Sequence, residues 1–165
     1  MGFFLPIMRY TRLSKDQFEA LHLEFALFLA AQSIDAKQWQ ELKTNQPESV
    51  ALFLDRFSDL VWEDILAKVQ YLEQWSAHQH ISIKKTDTQL ESIIVKSNAT
   101  LPIDQSDGWQ WVLENIHSDE VVIYCGTKQL GDDPKRELFK LIEQGAEISD
   151  GSHYKVLHNL FKTQE

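Results

Sequence analysis

Apolar residues recur at intervals of three and four along the first half of the chain, a period that predicts helices. Ser14-Lys15-Asp16-Gln17 has the form of a capping box, in which two side chains satisfy the first free N–H groups of a helix. Phe18, Leu21, Phe25, Phe28 and Leu29 follow at helical spacing and predict a first helix running to about Gln32. Asp35 is placed to cap a shorter helix with Trp39 and Leu42 on one side. Asn45-Gln46-Pro47 ends it, and Pro47 suits the first turn of the next. From residue 48 to about 76 the period persists through Val50, Leu54, Phe57, Val61, Ile65, Val69 and Leu72. Phe53, Leu60, Trp62 and Leu66 widen this apolar face, so it is expected to be covered on several sides or to meet another chain. Ser58-Asp59 is a candidate break within the helix, because both residues favour caps over helix interiors.

After Ala77 the pattern changes. Residues 81–83 and 93–95 read as short strands separated by polar residues 84–89. Ser106-Asp107-Gly108 opens a helix carrying Trp109, Val112, Leu113 and Ile116. Residues 121–125 are continuously apolar and rich in strand-forming residues, as in a strand covered on both faces. Residues 126–133 read as a loop, Pro134 as the first turn of a helix, and Gly145 as its C-terminal stop. Residues 146–149 and 152–156 flank Asp150-Gly151 as either a hairpin or a strand-to-helix turn. The expected fold is α+β: three or four helices within residues 8–78, packed on a small sheet with two further helices within residues 79–165, as a single domain.

Composition supports an ordinary folded protein. With 165 residues, 43% of them hydrophobic and 25% charged, the chain can bury a core without a metal or disulfide staple. A single cysteine, Cys125, suits a reducing compartment, and the cytoplasm is the expected location. The net charge of −9 is spread over both halves, which disfavours nucleic acid and acidic membrane surfaces as partners. No run approaches the length of a membrane span. Residues 1–7 form a short apolar run broken by Pro6, with Arg9 and Arg12 after it rather than before. That order does not fit a signal peptide. Either Met8 is the true start and the run an upstream extension, or the run is an apolar arm that tucks into the core or a partner.

Gly126-Thr127-Lys128-Gln129-Leu130-Gly131 has the glycine spacing of a phosphate loop, but Asp132 and Asp133 stand where Lys and Ser or Thr are required. Cys125 would need an arginine six residues on to resemble a phosphatase loop, and that position is Gly131. The simpler reading of Cys125 is a small buried strand residue. Glu19/His22 and Glu114/His117 have the Glu-x-x-His spacing of di-iron helices, though such a site needs further glutamates from other helices. His78-x-His80 reads as a solvated turn, although same-side histidines on a strand also bind zinc. Asp59 and Glu63, beside Trp62 and Asp64, form an acidic-aromatic cluster open to acid–base work or to plain solvation. Trp62, Trp109 and Trp111 are candidate interface residues. No cofactor motif is present.

Met8-Arg9-Tyr10 leads into Leu13-Ser14-Lys15-Asp16-Gln17-Phe18, followed by Leu21-His22-x-Glu24-Phe25 and Ile34-Asp35-Ala36. Further on stand Phe57-Ser58-Asp59-Leu60-Val61-Trp62-Glu63 and Gly145-Ala146-Glu147-Ile148-Ser149-Asp150-Gly151. In these segments the chain resembles an uncharacterised family of short bacterial proteins, a domain of unknown function, over nearly its whole length from Met8. The resemblance implies no activity and carries over no catalytic roles. With no catalytic template fitted, the leading expectation is a soluble, non-enzymatic interaction or regulatory protein that has a protein partner or self-associates. The alternative is a small enzyme or ligand-binding domain with a site between the two halves, drawing on Cys125, His22, Asp59 or Glu63.

Overall fold

The computed structural model describes residues 8–162. Residues 1–7, read above as an upstream extension or an apolar arm, lie outside the described residues. The chain divides into two compact units, with the division between Ala67 and Lys68.

The first unit is helical. Ser14 and Gln17 form the expected capping box, with the Gln17 N–H donating to Ser14 Oγ at 3.2 Å and the Ser14 N–H to Gln17 Oε1 at 2.8 Å. The predicted first helix is in fact two, α1 (Lys15–Ala20) and α2 (His22–Ala31), because the backbone leaves helical geometry at Leu21. Asp35 caps α3 (Ala36–Asn45) through a second capping box with Gln38. Pro47 opens α4 (Pro47–Lys68). No break occurs at Ser58. Its hydroxyl donates back to the Leu54 carbonyl at 2.7 Å and accepts the Leu13 N–H at 3.0 Å. A residue that competes with helix formation elsewhere is satisfied here and anchors the incoming chain. Phe57 is the aromatic hub, with ring centroids of Phe25, Phe28 and Phe18 at 5.0, 5.5 and 5.9 Å. Such pairs add about 0.5–1.5 kcal/mol each beyond the area they bury.

The long helix stops at Lys68 rather than near residue 76. Residues Tyr71–Trp75 instead form β1, the first strand of a five-stranded antiparallel sheet. It is joined by β2 (Gln79–Lys85), β3 (Gln89–Ser97), β4 (Val121–Gln129) and β5 (Glu147–Ser149), in the order β4-β3-β2-β1-β5. Three helices complete this second unit, one more than expected: α5 (Ser106–Glu114), α6 (Pro134–Glu143) and α7 (Ser152–Lys162). The strand-to-helix alternative at Asp150-Gly151 is the one the chain takes.

Alternation along the strands sorts the sheet into two faces. Ile93, Val95, Val121 and Ile123 pack with Val112 and Ile116 from α5 and its end, Tyr154 and Leu157 from α7, and Ile103. Ile83 and Leu90 point the other way and share a groove with α6, whose Leu138 and Phe139 are buried. The strand expected to be covered on both faces, β4, is an edge strand that takes in residues 126–129 of the predicted loop. Val121 is buried, but Val122, Tyr124 and Cys125 are exposed.

Candidate functional site

Pairing of β1 with β2 sets Trp75 directly opposite His80 and Glu73 opposite Ser82. Directly opposed residues share a face, so Glu73, Trp75 and His80 project toward the side that carries α5 and α7. From α7, His153 joins them, and Trp109 of α5 closes the group.

Glu73 Oε2 is the focus. The His153 Nδ1 lies 2.9 Å from it and the His80 Nε2 3.2 Å. Each of these ring nitrogens carries a proton and donates it to the carboxylate when His80 and His153 are neutral. The rings pack mostly edge to face into an aromatic wall. Trp75 lies 3.9 Å from His80 between centroids, and Trp109 lies 4.9 Å from both. Exposure grades across the site: the His80 side chain is 0% exposed, Glu73 16% and His153 36%. The arrangement therefore has a dry floor at His80 and an opening at His153.

Burial dominates the electrostatics of His80 and pushes its pKa down to about 4, against the opposing pull of Glu73; the charge of His153 lowers it further. Burial on its own would raise the pKa of Glu73. Hydrogen bonds from His80, Trp75 and His153, together with the charge of His153, outweigh it and hold the carboxyl below its ordinary value. At neutral pH the site thus presents an ionised carboxylate and a neutral imidazole. His80 Nδ1 is also buried, and no protein group is hydrogen-bonded to it. A buried unsatisfied polar atom is uncommon in folded proteins and marks this ring as more than core filler.

Two glycines fix the helices that bring Trp109 and His153 in. A Cβ on Gly108 would stand 1.8 Å from the Pro102 carbonyl oxygen, so α5 can approach the preceding loop only with glycine there. Gly151 has φ +83°, and a Cβ on it would meet the Tyr71 ring at 2.5 Å. The Asp150 carboxylate then accepts the Ser152 N–H at 2.9 Å at the start of α7.

The residues singled out from sequence fall elsewhere, with two exceptions. Asp59 accepts the N–H groups of Arg9 and Tyr10 at 2.7 and 2.9 Å. Glu63 accepts the Tyr10 hydroxyl at 2.7 Å and pairs with Arg9 at 3.2 Å. Both carboxylates are occupied in holding the segment before α1 against α4. His22 sits on α2 with Nδ1 3.0 Å from the Glu19 carbonyl oxygen, which accepts, so that pair meets through backbone rather than around an ion. Glu114 ends α5 and accepts from Gln110 at 2.8 Å; His117 follows in the exposed turn after it. Cys125 is exposed on β4, not buried. Trp62 on α4 is half-buried, as are Trp109 and Trp111, and both of the latter pack on the sheet core. The exceptions are Trp109, whose ring closes the cluster, and His80, which is a fully buried strand residue rather than part of a solvated turn; its companion His78 is exposed and outside the cluster. Among the described residues, Glu73, His80 and His153 form the one group of three or more donor side chains close enough to share an ion, with all three donor atoms within 4.8 Å of one another.

The fold and site together define an α+β protein whose sheet unit carries a tryptophan-walled carboxylate–histidine–histidine cluster. The chain belongs to a family of unknown function, DUF6495, which matches residues 8–162. No curated protein and no solved structure matches it. Among the described residues no helix is long and apolar enough to cross a membrane.

Proposed function

We propose that the second unit binds a divalent transition-metal ion, zinc in the first instance, through Glu73, His80 and His153. The observation that carries this reading is the convergence of two imidazole nitrogens on one carboxylate oxygen at 2.9 and 3.2 Å. Donor atoms around tetrahedral zinc, bonded at about 2.0–2.2 Å, stand roughly 3.3–3.5 Å apart, so the present spacings need only a small expansion. Two imidazoles with one carboxylate suit zinc, iron or copper; magnesium and calcium favour oxygen donors throughout. Metal ligands must be free of protons at the donor atom; Glu73 is ionised and His80 neutral, so an ion would need each imidazole proton to move to the other ring nitrogen. Glu147 of β5 lies directly opposite Glu73 and adds a second carboxylate to the same face, which a cation would offset. The opening at His153 leaves a position for water or a ligand, and a bound zinc ion would polarise that water.

Equilibrium dialysis and thermal unfolding test the reading. Zinc at about a hundredfold over its Kd is expected to add about 2.7 kcal/mol of stability. His153→Ala, at a half-exposed position and with its folding checked by the same unfolding curves, is expected to lower zinc affinity at least about tenfold. A wild type that zinc does not stabilise, or a His153→Ala protein that binds it equally well, would remove the proposal. An interaction role is compatible with this one and is supported by a different surface, the open edge of β4.

A further inference from the structure

Antiparallel sheets end in strands whose outward N–H and C=O groups have no partner, and proteins usually protect them. The two ends of this sheet are treated differently. At one end β5 is three residues long and carries Glu147. At the other, β4 runs nine residues, Val121–Gln129, paired one to one with Gln89–Ser97 and without a bulge. It contains no proline and one charge, Lys128. Tyr124 is 51% exposed, and no described strand pairs with its outer side. Among the described residues, Lys128 near the end of β4 is the one usual device against edge pairing, and the stretch Val121–Thr127 carries no charge, proline or bulge.

We propose that β4 is the self-association edge of this protein, pairing antiparallel with β4 of a second copy to join two five-stranded sheets. A two-fold axis requires the contact to be self-complementary, and an antiparallel edge meets that requirement directly. Centring the axis on Cys125 is the arrangement that pairs all nine residues. Val121 then faces Gln129 of the second copy, Val122 faces Lys128, Ile123 faces Thr127, Tyr124 faces Gly126, and Cys125 faces itself. The side chains agree with that register. No like charges are opposed, two β-branched residues meet at 123 and 127, and the Tyr124 ring covers the glycine that has no side chain of its own. The acyclic stem of Lys128 lies along Val122. About eight to ten new backbone hydrogen bonds result, comparable with the number in an ordinary stable interface.

The register makes a test that distinguishes this contact from any other. Sedimentation of the full chain is expected to show a dimer. Val122→Lys sets a lysine opposite Lys128 twice over and is expected to weaken dimerisation about tenfold. Val122→Glu sets an opposite charge there and is expected to dimerise at least as well as wild type. Both changes are at an exposed position that also faces Lys96 of the same chain, so the unfolding of each variant is measured beside its dimerisation to separate the intrachain effect. A short bis-maleimide is expected to link two chains through Cys125, the only thiol present. A monomer at all concentrations, a dimer indifferent to the sign of the charge at 122, or β4 amides protected from exchange in a monomer, which would place a segment of the same chain on the edge, would each overturn the proposal.

Discussion

The Tyr10 hydroxyl donates to Glu63 at 2.7 Å while its own N–H donates to Asp59. Burial first, then the hydrogen bond to Glu63 and the charge of Glu63, push its pKa up to about 12 from an ordinary 10.0. The sign of the resulting pH dependence follows from proton counting. Above pH 10 the unfolded chain releases this proton while the folded chain keeps it to about 12. The unfolded state therefore binds fewer protons in that window, and stability falls as pH rises through it. Tyr10→Phe removes the group. At neutral pH it is expected to cost about 1 kcal/mol, the ordinary value of one such hydrogen bond. Between pH 10 and 12 the gap between wild type and Tyr10→Phe is expected to narrow, because only the wild type loses this contribution. Denaturant unfolding of the two proteins at stepped pH measures it; a constant gap would show that Tyr10 titrates alike in both states.

At the scale of elements, α7 is the piece on which the candidate site depends most, because it alone delivers His153 from far along the chain. Gly151→Ala is expected to destabilise the protein by at least about 1–2 kcal/mol, since an L residue is strained at this positive φ and its Cβ meets Tyr71. The same change is expected to weaken zinc binding by displacing His153. Gly131→Ala is the control: its Cβ would meet nothing closer than 3.7 Å, and thermal unfolding should be near that of wild type. Equal effects from the two substitutions would mean that Gly151 does not set the helix start. The caps and breakers were legible because their physics is local. Ser14, Asp35, Pro47, Pro134 and Gly145 each act within one turn of where they stand. β1 was not legible. Ile65, Val69 and Leu72 continue the helical period past the end of α4, and what makes residues 71–75 a strand is pairing with residues 79–85 and 147–149. With β1 read as helix, Glu73 and Trp75 could not be seen as neighbours of His80. His153 lay in a turn with two readings. The donors stand 7 and 80 positions from Glu73, so no short spacing motif joins them. The clue available was a buried-type tryptophan close to a histidine pair on a β-rich segment, which marks a strand only once its partners are known.

For the whole molecule the division between Ala67 and Lys68 has an energetic consequence. Tyr10 and its partners Asp59 and Glu63 belong to the first unit; Glu73, His80 and His153 belong to the second. Substitutions that share no partner add, and substitutions inside one hydrogen-bonded network do not. The Tyr10→Phe and His153→Ala double variant is therefore expected to lose the sum of the single losses to within about 0.5 kcal/mol. Glu73→Ala with His153→Ala is expected to depart from additivity by about 1 kcal/mol or more, because each single change already removes the 2.9 Å contact between them. The comparison is read from denaturant unfolding of metal-free protein, so that zinc does not enter both legs of the cycle. A large coupling between Tyr10 and His153 would show that the two units stabilise each other through the site. Coupling confined to Glu73 and His153 would show instead that the helical unit can vary in sequence without disturbing the chemistry of the sheet unit.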